Sequence, residues 1–155
     1  MGRRIIGEEI FEIRKLSHQL VPLVEKAPDF EGVIRSLIAN INQKHEHQFI
    51  LKLDKILSQE LSRDMQTGIY RILQEQLANI MKHAEAKNIW ISLVRKADTI
   101  VLRIKDDGKG FDPSQKRRGI GLENINRRAL LMNGKMTVKS KLWAGCELIV
   151  SVQQN

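Results

Sequence analysis

The apolar residues of this chain recur at spacings of three and four along three stretches, the interval that places side chains on one face of an α-helix. The first stretch runs from Gly7 to Val24, the second from about Phe30 to Gln43, and the third from residue 62 or 63 to about residue 83. Each predicted helix therefore has one face that must be buried. The three faces consist of Ile10, Ile13, Leu16, Leu20 and Val24, of Val33, Ile34, Leu37, Ile38 and Ile41, and of Ile69, Leu73, Leu77, Ile80 and Ala84.

Shorter apolar runs, several of them alternating with polar residues, predict β-strands. They cover residues 49–53, 89–94, 100–105, 136–140 and 146–152, and turns at Ala97–Asp98 and Trp143–Gly145 close two hairpins. Residues 57–63 are predicted to be a loop, and a further helix opens with residues 119–122 and stops at Asn133–Gly134. The pattern predicts an α+β fold. It is a two-layer α/β sandwich whose mixed, mostly antiparallel sheet of about five strands is backed by about three helices, with an N-terminal helical arm.

The size and composition of the chain indicate one domain. Its 155 residues, 42% of them hydrophobic, are enough to bury a core. No apolar run approaches the roughly 20 residues needed to cross a bilayer, and no signal peptide follows Met1. The single cysteine, Cys146, cannot form an internal disulfide, so a cytoplasmic location is expected. These residues leave open whether the full-length protein is anchored in a membrane.

The net charge of +8 is compatible with a nucleic acid, an anionic membrane surface or an anionic small ligand as partner. Aromatic residues make up only 5% of the chain, and it has neither a zinc-ligand spacing nor a basic leucine-zipper pattern. The charge therefore fits a phosphate-bearing ligand at least as well, and no nucleic-acid partner is expected.

A strand that ends in Asp106–Asp107–Gly108–Lys109–Gly110–Phe111 is the first candidate for chemistry. Its glycines allow a positive φ and a close approach of the backbone to a ligand. An aspartate at such a turn can accept hydrogen bonds from the N–H groups of a ligand. Taken alone, the motif is also compatible with an ordinary turn.

The long helix carries a polar edge made of Glu75, Asn79, Lys82 and His83. Asn79 offers a neutral oxygen to a hard cation such as Mg²⁺, and Glu75 could orient or deprotonate a hydroxyl group or a water. Lys82 and His83 could face phosphate oxygens. A solvated polar face is the alternative interpretation of the same residues.

Gly119–Ile120–Gly121, at the start of the next helix, is a candidate phosphate cradle. Backbone N–H groups at a helix N-terminus bind anions, and Lys116, Arg117 and Arg118 just ahead of it add cations. The motif is neither a Walker loop nor a complete Rossmann fingerprint.

The order of these three motifs resembles the ATP-binding domain shared by sensor histidine kinases, gyrase, MutL and related chaperones, and most closely that of two-component sensor histidine kinases. Residues 74–84 resemble its N box, residues 106–111 its first glycine box and residues 119–122 its second. Residues 123–135 are similar to the subfamily with a short nucleotide lid, whose partners are often helix-turn-helix response regulators. Residues 16–22 resemble the end of the second dimerisation helix of that subfamily. The resemblance spans about residues 48–152.

This resemblance implies ATP and Mg²⁺ as cofactors and a role for each motif residue. Asp106 would accept a hydrogen bond from the adenine amino group, and Gly108 and Gly110 would let the chain pass close to the base. Asn79 would hold Mg²⁺, and Glu75 would be the catalytic base or would position a water. The groups that would face the phosphates are Lys82, His83 and the backbone amides around Gly119 and Gly121. The mobile lid would consist of Lys116, Arg117 and Arg118, and Leu122 would complete the second glycine box.

Two features depart from the family pattern. The last hairpin of the family usually carries Gly-Thr, whose hydroxyl supports the adenine site, whereas this chain has Gly145–Cys146. A thiol is a weak donor and acceptor, so Cys146 is either a poorer adenine-site residue or a small buried apolar residue. The helix that bears the phospho-acceptor histidine in the family is not found, because His18 matches the wrong end of the dimerisation hairpin.

The chain is accordingly interpreted as the catalytic portion of a longer kinase. Residues 1–44 would form the end of the dimerisation region and a linker, and residues 45–155 the ATP-binding catalytic domain. The γ-phosphoryl group would pass to a histidine on the dimerisation and histidine-phosphotransfer domain of the full-length protein, for relay to a response regulator. The apolar stripe of residues 10–24 predicts a homodimer if its partner helix is absent. The alternatives are an anti-sigma-type serine kinase, a non-catalytic ATP-binding module and a basic nucleic-acid binder.

Overall fold

The computed structural model describes residues 29–43, 46–55, 57–115 and 120–154. The predicted helix of residues 7–24 and His18 lie outside these ranges. The described helices are α1 (Phe30–Asn42), α2 (Leu57–Glu60), α3 (Arg63–His83) and α4 (Ile120–Leu131). The described strands are β1 (Gln48–Leu53), β2 (Asn88–Lys96), β3 (Thr99–Asp106), β4 (Gly134–Ser140) and β5 (Cys146–Gln153).

The five strands form one mixed sheet in the order β1-β2-β3-β5-β4. β1 and β2 are parallel, because the chain crosses between them through α3, and the other three pairings are antiparallel. The prediction of a mostly antiparallel sheet backed by helices is confirmed. The register aligns Asp106 at the end of β3 with Cys146 at the start of β5, and Cys146 with Ser140 at the end of β4. Three chain segments that are far apart in sequence thus meet at one edge of the sheet.

The long helix α3 begins and ends where local chemistry favours it. The hydroxyl of Ser62 accepts a hydrogen bond from the backbone N–H of Met65 at 3.2 Å, which caps the first turn. Asp64 lies in the first turn and Lys82 in the last, so their charges complement the helix dipole. The predicted bounds are confirmed. The predicted loop of residues 57–63 is partly wrong, because α2 forms a single helical turn there.

The core lies between the helices and one face of the sheet. All ten predicted core positions of the second and third apolar stretches are buried, nine of them in α1 and α3 and the tenth at Ala84 just after α3, as are Ile125 and Ala129 of α4. The helix α1 packs into the same core as α3 and the sheet. A functional boundary at residue 44 stays a prediction.

The opposite face of the sheet is open. Ile50 and Trp90 are 44% and 37% exposed, and the ammonium group of Lys105 lies 5.6 Å from the centre of the Trp90 ring. Among the residues that the structure describes, the helices therefore lie on one side of the sheet. Within the ranges that the structure describes, no helix has the length and apolarity required to span a membrane.

The turn between β4 and β5 contains a strained residue. Trp143 has a φ of 65° and is 79% exposed, although bulky side chains rarely adopt this backbone conformation. Replacing it with glycine is expected to raise the free energy of unfolding by about 1 kcal/mol relative to alanine, because the relieved strain exceeds the added chain entropy. Urea denaturation of the Trp143→Gly and Trp143→Ala variants measures this difference. Equal stability of the two variants would contradict the expectation.

Candidate functional site

A cavity of about 520 Å³ opens between α3, the ends of β3 and β5, and the segment that follows β3. This volume is typical of small-molecule sites, which are mostly apolar with a few polar groups. The cavity is lined by Gln76, Asn79, Ile80, His83, Ala84, Asp106, Gly110, Phe111, Asp112, Pro113, Gln115, Leu122, Leu142 and Cys146. Six of the sequence-predicted site residues are therefore brought together here: Asn79, His83, Asp106, Gly110, Leu122 and Cys146.

Asp106 is the buried carboxyl group of this cavity. It is only 2% exposed, and its Oδ1 accepts a hydrogen bond from the backbone N–H of Gly108 at 2.9 Å. Burial raises the pKa of Asp106 and the nearby Asp107 adds to this, whereas backbone N–H groups of Gly108 and Cys146 act in the opposite direction. A carboxylate has about four acceptor positions, so capacity remains for N–H groups of a ligand.

The neighbouring carboxylate, Asp107, accepts its hydrogen bonds from the segment that leads into β2. Its Oδ1 accepts from the backbone N–H groups of Lys87 and Asn88, both at 2.9 Å, and its Oδ2 from the Asn88 side chain at 2.7 Å. Slight desolvation raises the pKa of Asp107, but the hydrogen bonds from Asn88 and Lys87 outweigh it and lower the pKa. Asp107 thus fixes the loop between α3 and β2, and Asp106 is left to face the cavity.

The glycines after β3 allow close contacts within the protein. A Cβ atom on Gly108 would overlap the backbone carbonyl of Ala84, at the end of α3, and the next residue donates its N–H to the same oxygen at 2.7 Å. Gly110 has a φ of 60°, and a Cβ atom there would overlap the carbonyl of Lys141. Gly110 also lines the cavity, whereas Gly108 lies outside the described lining. The two glycines therefore allow this segment to pack closely against the backbones of Ala84 and Lys141.

The hydroxyl group of Ser140 lies next to the thiol of Cys146, the residue that stands where the family pattern usually has threonine. Ser140 accepts from the backbone N–H of Phe111 and donates to the carbonyl of Gly145, both at 2.9 Å. Cys146, its register partner, is buried, as its interpretation as a small apolar residue predicts. Burial, with the Asp106 carboxylate nearby, raises the pKa of the Cys146 thiol to about 11. The thiol therefore stays protonated, and Ser140 ties together the loops around it.

The polar edge of α3 meets the start of α4. A Cβ atom on Gly121 would lie 2.7 Å from Asn79 Oδ1 and 3.1 Å from Glu75 Oε1, so the first turn of α4 closely approaches both side chains. Lys82 is exposed and lies outside the lining of the cavity in the part of the chain that the structure describes. Lys116, Arg117, Arg118 and Gly119 fall outside the described ranges.

His83, which follows Asn79 by one helical turn on α3, also lines the cavity. Burial, together with the positive charge of Lys82, lowers the pKa of His83. The imidazole is therefore mainly neutral at pH 7, and it offers a hydrogen bond rather than a fixed positive charge.

The donor set fits a magnesium ion that is held mainly by phosphate oxygens. Among the described residues, no cluster of three or more His, Cys, Asp or Glu side chains could hold a metal by itself. Mg²⁺ keeps several waters and binds through one or two protein oxygens plus the phosphates of a nucleotide. The carboxamide oxygen of Asn79, beside the start of α4, is an oxygen of this kind.

Several lining residues were not assigned a site role from the sequence, although Gln76 and Ile80 lie within the predicted N box and Phe111 within the first glycine box. Gln76 and Ile80 lie one turn apart on α3, and Phe111 and Leu142 come from the segments after β3 and after β4. The helical phase of Asn79 could have indicated Gln76 and Ile80. Nothing local to residue 142 could have done so, because its position depends on how the hairpin packs.

Comparison with known proteins identifies the family. Residues 64–155 match the family described as histidine kinase-, DNA gyrase B-, and HSP90-like ATPase. The chain is 26% identical over 153 residues to the signal transduction histidine-protein kinase/phosphatase DegS of Brevibacillus brevis, covering 97% of this chain and 39% of that protein. It is 33% identical over 98 residues to DegS of Bacillus subtilis, covering 61% and 26% respectively. The chain thus spans well under half the length of these relatives.

Solved structures share the fold. A blue-light activated histidine kinase from Erythrobacter litoralis aligns with a TM-score of 0.76 at 12% identity, over 92% of this chain and 53% of that one. The histidine kinase AdeS from Acinetobacter baumannii aligns with a TM-score of 0.67 at 15% identity, over 90% and 76%. The family profile covers more than half of the chain and includes the predicted N box and both glycine boxes. The chain therefore belongs to the family of histidine kinase-, DNA gyrase B- and HSP90-like ATPases.

Proposed function

We propose that this chain is the Mg·ATP-binding catalytic portion of a sensor histidine kinase, which delivers the γ-phosphoryl group to a histidine that another segment of the full-length protein supplies. The observation that carries the proposal is the pairing of a buried carboxylate, Asp106, with Asn79 in one cavity of nucleotide-like size. The similarity to DegS proteins supports the same class of reaction.

The adenine end of the nucleotide is assigned to Asp106. The carboxylate can only accept hydrogen bonds, so it selects a base that presents an N–H group, as the exocyclic amine of adenine does. Ile80 and Ala84 line the same cavity and offer apolar contact to a planar base. Gly110 lets the following segment turn over the cavity, where Phe111 joins the lining.

The phosphate end is assigned to the meeting point of α3 and α4. Asn79 would hold Mg²⁺ through its carboxamide oxygen, and the ion, when bound, neutralises charge on the phosphates. The N-terminus of α4 faces this point and carries the partial positive charge that favours anions. Lys116, Arg117 and Arg118 are proposed to form the lid, with His83 donating a hydrogen bond to a phosphate oxygen.

Glu75 is assigned the role of base or positioning group for the incoming histidine. Its carboxylate lies on the same side of α3 as Asn79, next to Gly121, and therefore near the proposed phosphates. It could accept the ring proton of a neutral histidine and so leave the other ring nitrogen free to attack phosphorus. Phosphoryl transfer otherwise needs mainly positioning and charge neutralisation.

The partners of the full-length protein follow from this assignment. We propose a dimerisation and histidine-phosphotransfer segment as phosphate acceptor, a response regulator as the next carrier, and a homodimer as the working state. Magnesium dependence, cytoplasmic placement and the division at residue 44 belong to the same proposal.

Calorimetric titration with a non-hydrolysable ATP analogue, with and without Mg²⁺, tests the binding part of the proposal. Saturable binding that Mg²⁺ strengthens is expected. In the full-length protein, transfer from labelled ATP should give an acid-labile and base-stable phosphohistidine. An acid-stable phosphoserine would favour the anti-sigma-type serine kinase instead, binding without transfer would favour an ATP-binding module, and a salt-sensitive shift of nucleic acid without nucleotide binding would favour the nucleic-acid binder.

The 155-residue chain is expected to remain unlabelled when it is incubated alone with γ-labelled ATP and Mg²⁺. The reason is that the segment resembling a dimerisation helix corresponds to its second helix, whereas the family acceptor lies on the first. Acid-sensitive labelling followed by peptide mapping measures this, and the His18→Gln variant is the matched control. Phosphate found on His18 would overturn the assignment of the acceptor to another segment.

A further inference from the structure

Gln76 is a polar side chain in a buried position beside the proposed metal ligand. It is 3% exposed and lines the cavity on the same helix as Asn79, one turn before it. Burying a carboxamide without hydrogen bonds is costly, so its place should depend on the bonds it makes. Its Oε1 accepts a hydrogen bond from Asn79 Nδ2 at 3.4 Å.

This bond is long, and it favours one of the two orientations of the Asn79 carboxamide. An asparagine side chain has a donor end and an acceptor end, and only the oxygen can bind a cation. With Nδ2 held by Gln76, Oδ1 is the end closer to the start of α4, since a Cβ atom on Gly121 would lie 2.7 Å from Oδ1 and 3.1 Å from Nδ2. The orientation that the bond selects is therefore the one a metal ligand needs.

We propose that Gln76 is a positioning residue that holds the Asn79 carboxamide with its oxygen toward the magnesium ion. The inference rests on the proposed Mg·ATP site. It adds a residue that determines how much Mg²⁺ strengthens the binding of the nucleotide. Without an acceptor at position 76, the Asn79 carboxamide is free to turn its NH₂ group toward the cation, and each such molecule binds the metal less well.

The Gln76→Met and Gln76→Glu variants separate this role from simple filling of space. Methionine has a similar length but only a weak acceptor, whereas glutamate keeps an oxygen at the same reach. The affinity for a non-hydrolysable ATP analogue is measured by calorimetry with and without Mg²⁺, and the ratio of the two affinities is the metal enhancement. Gln66→Met is the matched control, because Gln66 is another buried glutamine of α3 whose Nε2 donates to Leu61 O at 3.0 Å, outside the lining of the described cavity.

The Gln76→Met variant is expected to lose roughly two- to tenfold of the metal enhancement, the worth of one hydrogen bond, beyond any change in its metal-free affinity. The Gln66→Met variant should keep the enhancement, and Gln76→Glu, which retains the acceptor and adds a negative charge beside the cation, should keep or raise it. An equal loss of affinity with and without Mg²⁺ in Gln76→Met, or an unchanged enhancement, would overturn the inference and leave the proposed function standing. If Mg²⁺ left the nucleotide affinity of the unaltered protein unchanged, the magnesium proposal itself would be overturned.

Discussion

Replacing Asp106 with asparagine is expected to weaken binding of an ATP analogue by roughly five- to 150-fold, the effect of about 1–3 kcal/mol from one lost buried hydrogen bond. Backbone N–H groups of Gly108 and Cys146 already point at this side chain. An asparagine can satisfy them only with its oxygen, and its NH₂ group then faces the amino group of adenine, donor against donor. Isothermal calorimetry on the two proteins measures the ratio.

Asp107→Asn is the matched control for this loss. It removes the same charge one residue away, but Asp107 accepts hydrogen bonds from Lys87 and Asn88 and is not among the described residues that line the cavity. Its effect should fall on stability and not on nucleotide affinity. If the two variants lost affinity equally, the general negative charge, and not the position of Asp106, would explain the binding.

The pH dependence of stability gives a second readout for Asp106. Burial raises its pKa in the folded state above the ordinary 3.8, so the folded protein binds more protons than the unfolded chain between the two values. The contribution of Asp106 to stability is therefore full below pH 3.8 and is lost as the pH rises through the folded-state pKa. Asp106→Asn, which stays neutral, should gain stability relative to the unaltered protein over that window, as measured by urea denaturation against pH. Nucleotide affinity, which requires the carboxylate, should fall on acidification through the same window.

Replacing Gly110 with alanine is expected to lower the free energy of unfolding by about 2–5 kcal/mol, the combined cost of a positive φ and of overpacking. The residue has a φ of 60°, and its Cβ atom would overlap the backbone carbonyl of Lys141. A backbone oxygen in a hairpin cannot move aside as a side chain can. Because Gly110 also lines the cavity, the variant should lose nucleotide affinity together with stability.

Gly32→Ala provides the opposite result as a control. Gly32 lies inside α1, and a Cβ atom there would meet only the flexible Asp29 carboxylate, at 3.1 Å. Alanine in a helix is favoured over glycine by about 1 kcal/mol, so this variant should be slightly more stable. Thermal or urea unfolding of both variants decides the matter. A Gly110→Ala protein as stable as the unaltered one would show that the loop can shift, and that the glycine serves another purpose.

The local pattern of apolar and polar residues was sufficient to predict most of the helices and strands. The bounds of α3 follow from the Ser62 cap and from the spacing of its apolar face, and those of α1 from Phe30 onward follow from the same spacing. The hairpins follow from alternation interrupted by turn residues. The order of the N box and the two glycine boxes carried the family assignment, because it requires no knowledge of how they meet in space.

The contacts that shape the site were decided by tertiary structure. The parallel pairing of β1 with β2 and the insertion of β5 between β3 and β4 set the register that aligns Ser140 with Cys146 and Cys146 with Asp106. The packing of Gly108 against Ala84 is equally long-range. A difference of one residue in register would point each of these side chains to the other face of the sheet.

The sequence by itself therefore determined which residue types the proposed nucleotide site would use and on which elements they lie. Periodicity and turn chemistry act over a few residues, and both can be read along the chain. Only the tertiary structure decided that Asp106 faces the cavity while Asp107 fixes a loop. The reason is physical: adjacent or nearby side chains of similar chemistry differ only in which distant backbone or side-chain groups the fold brings to them.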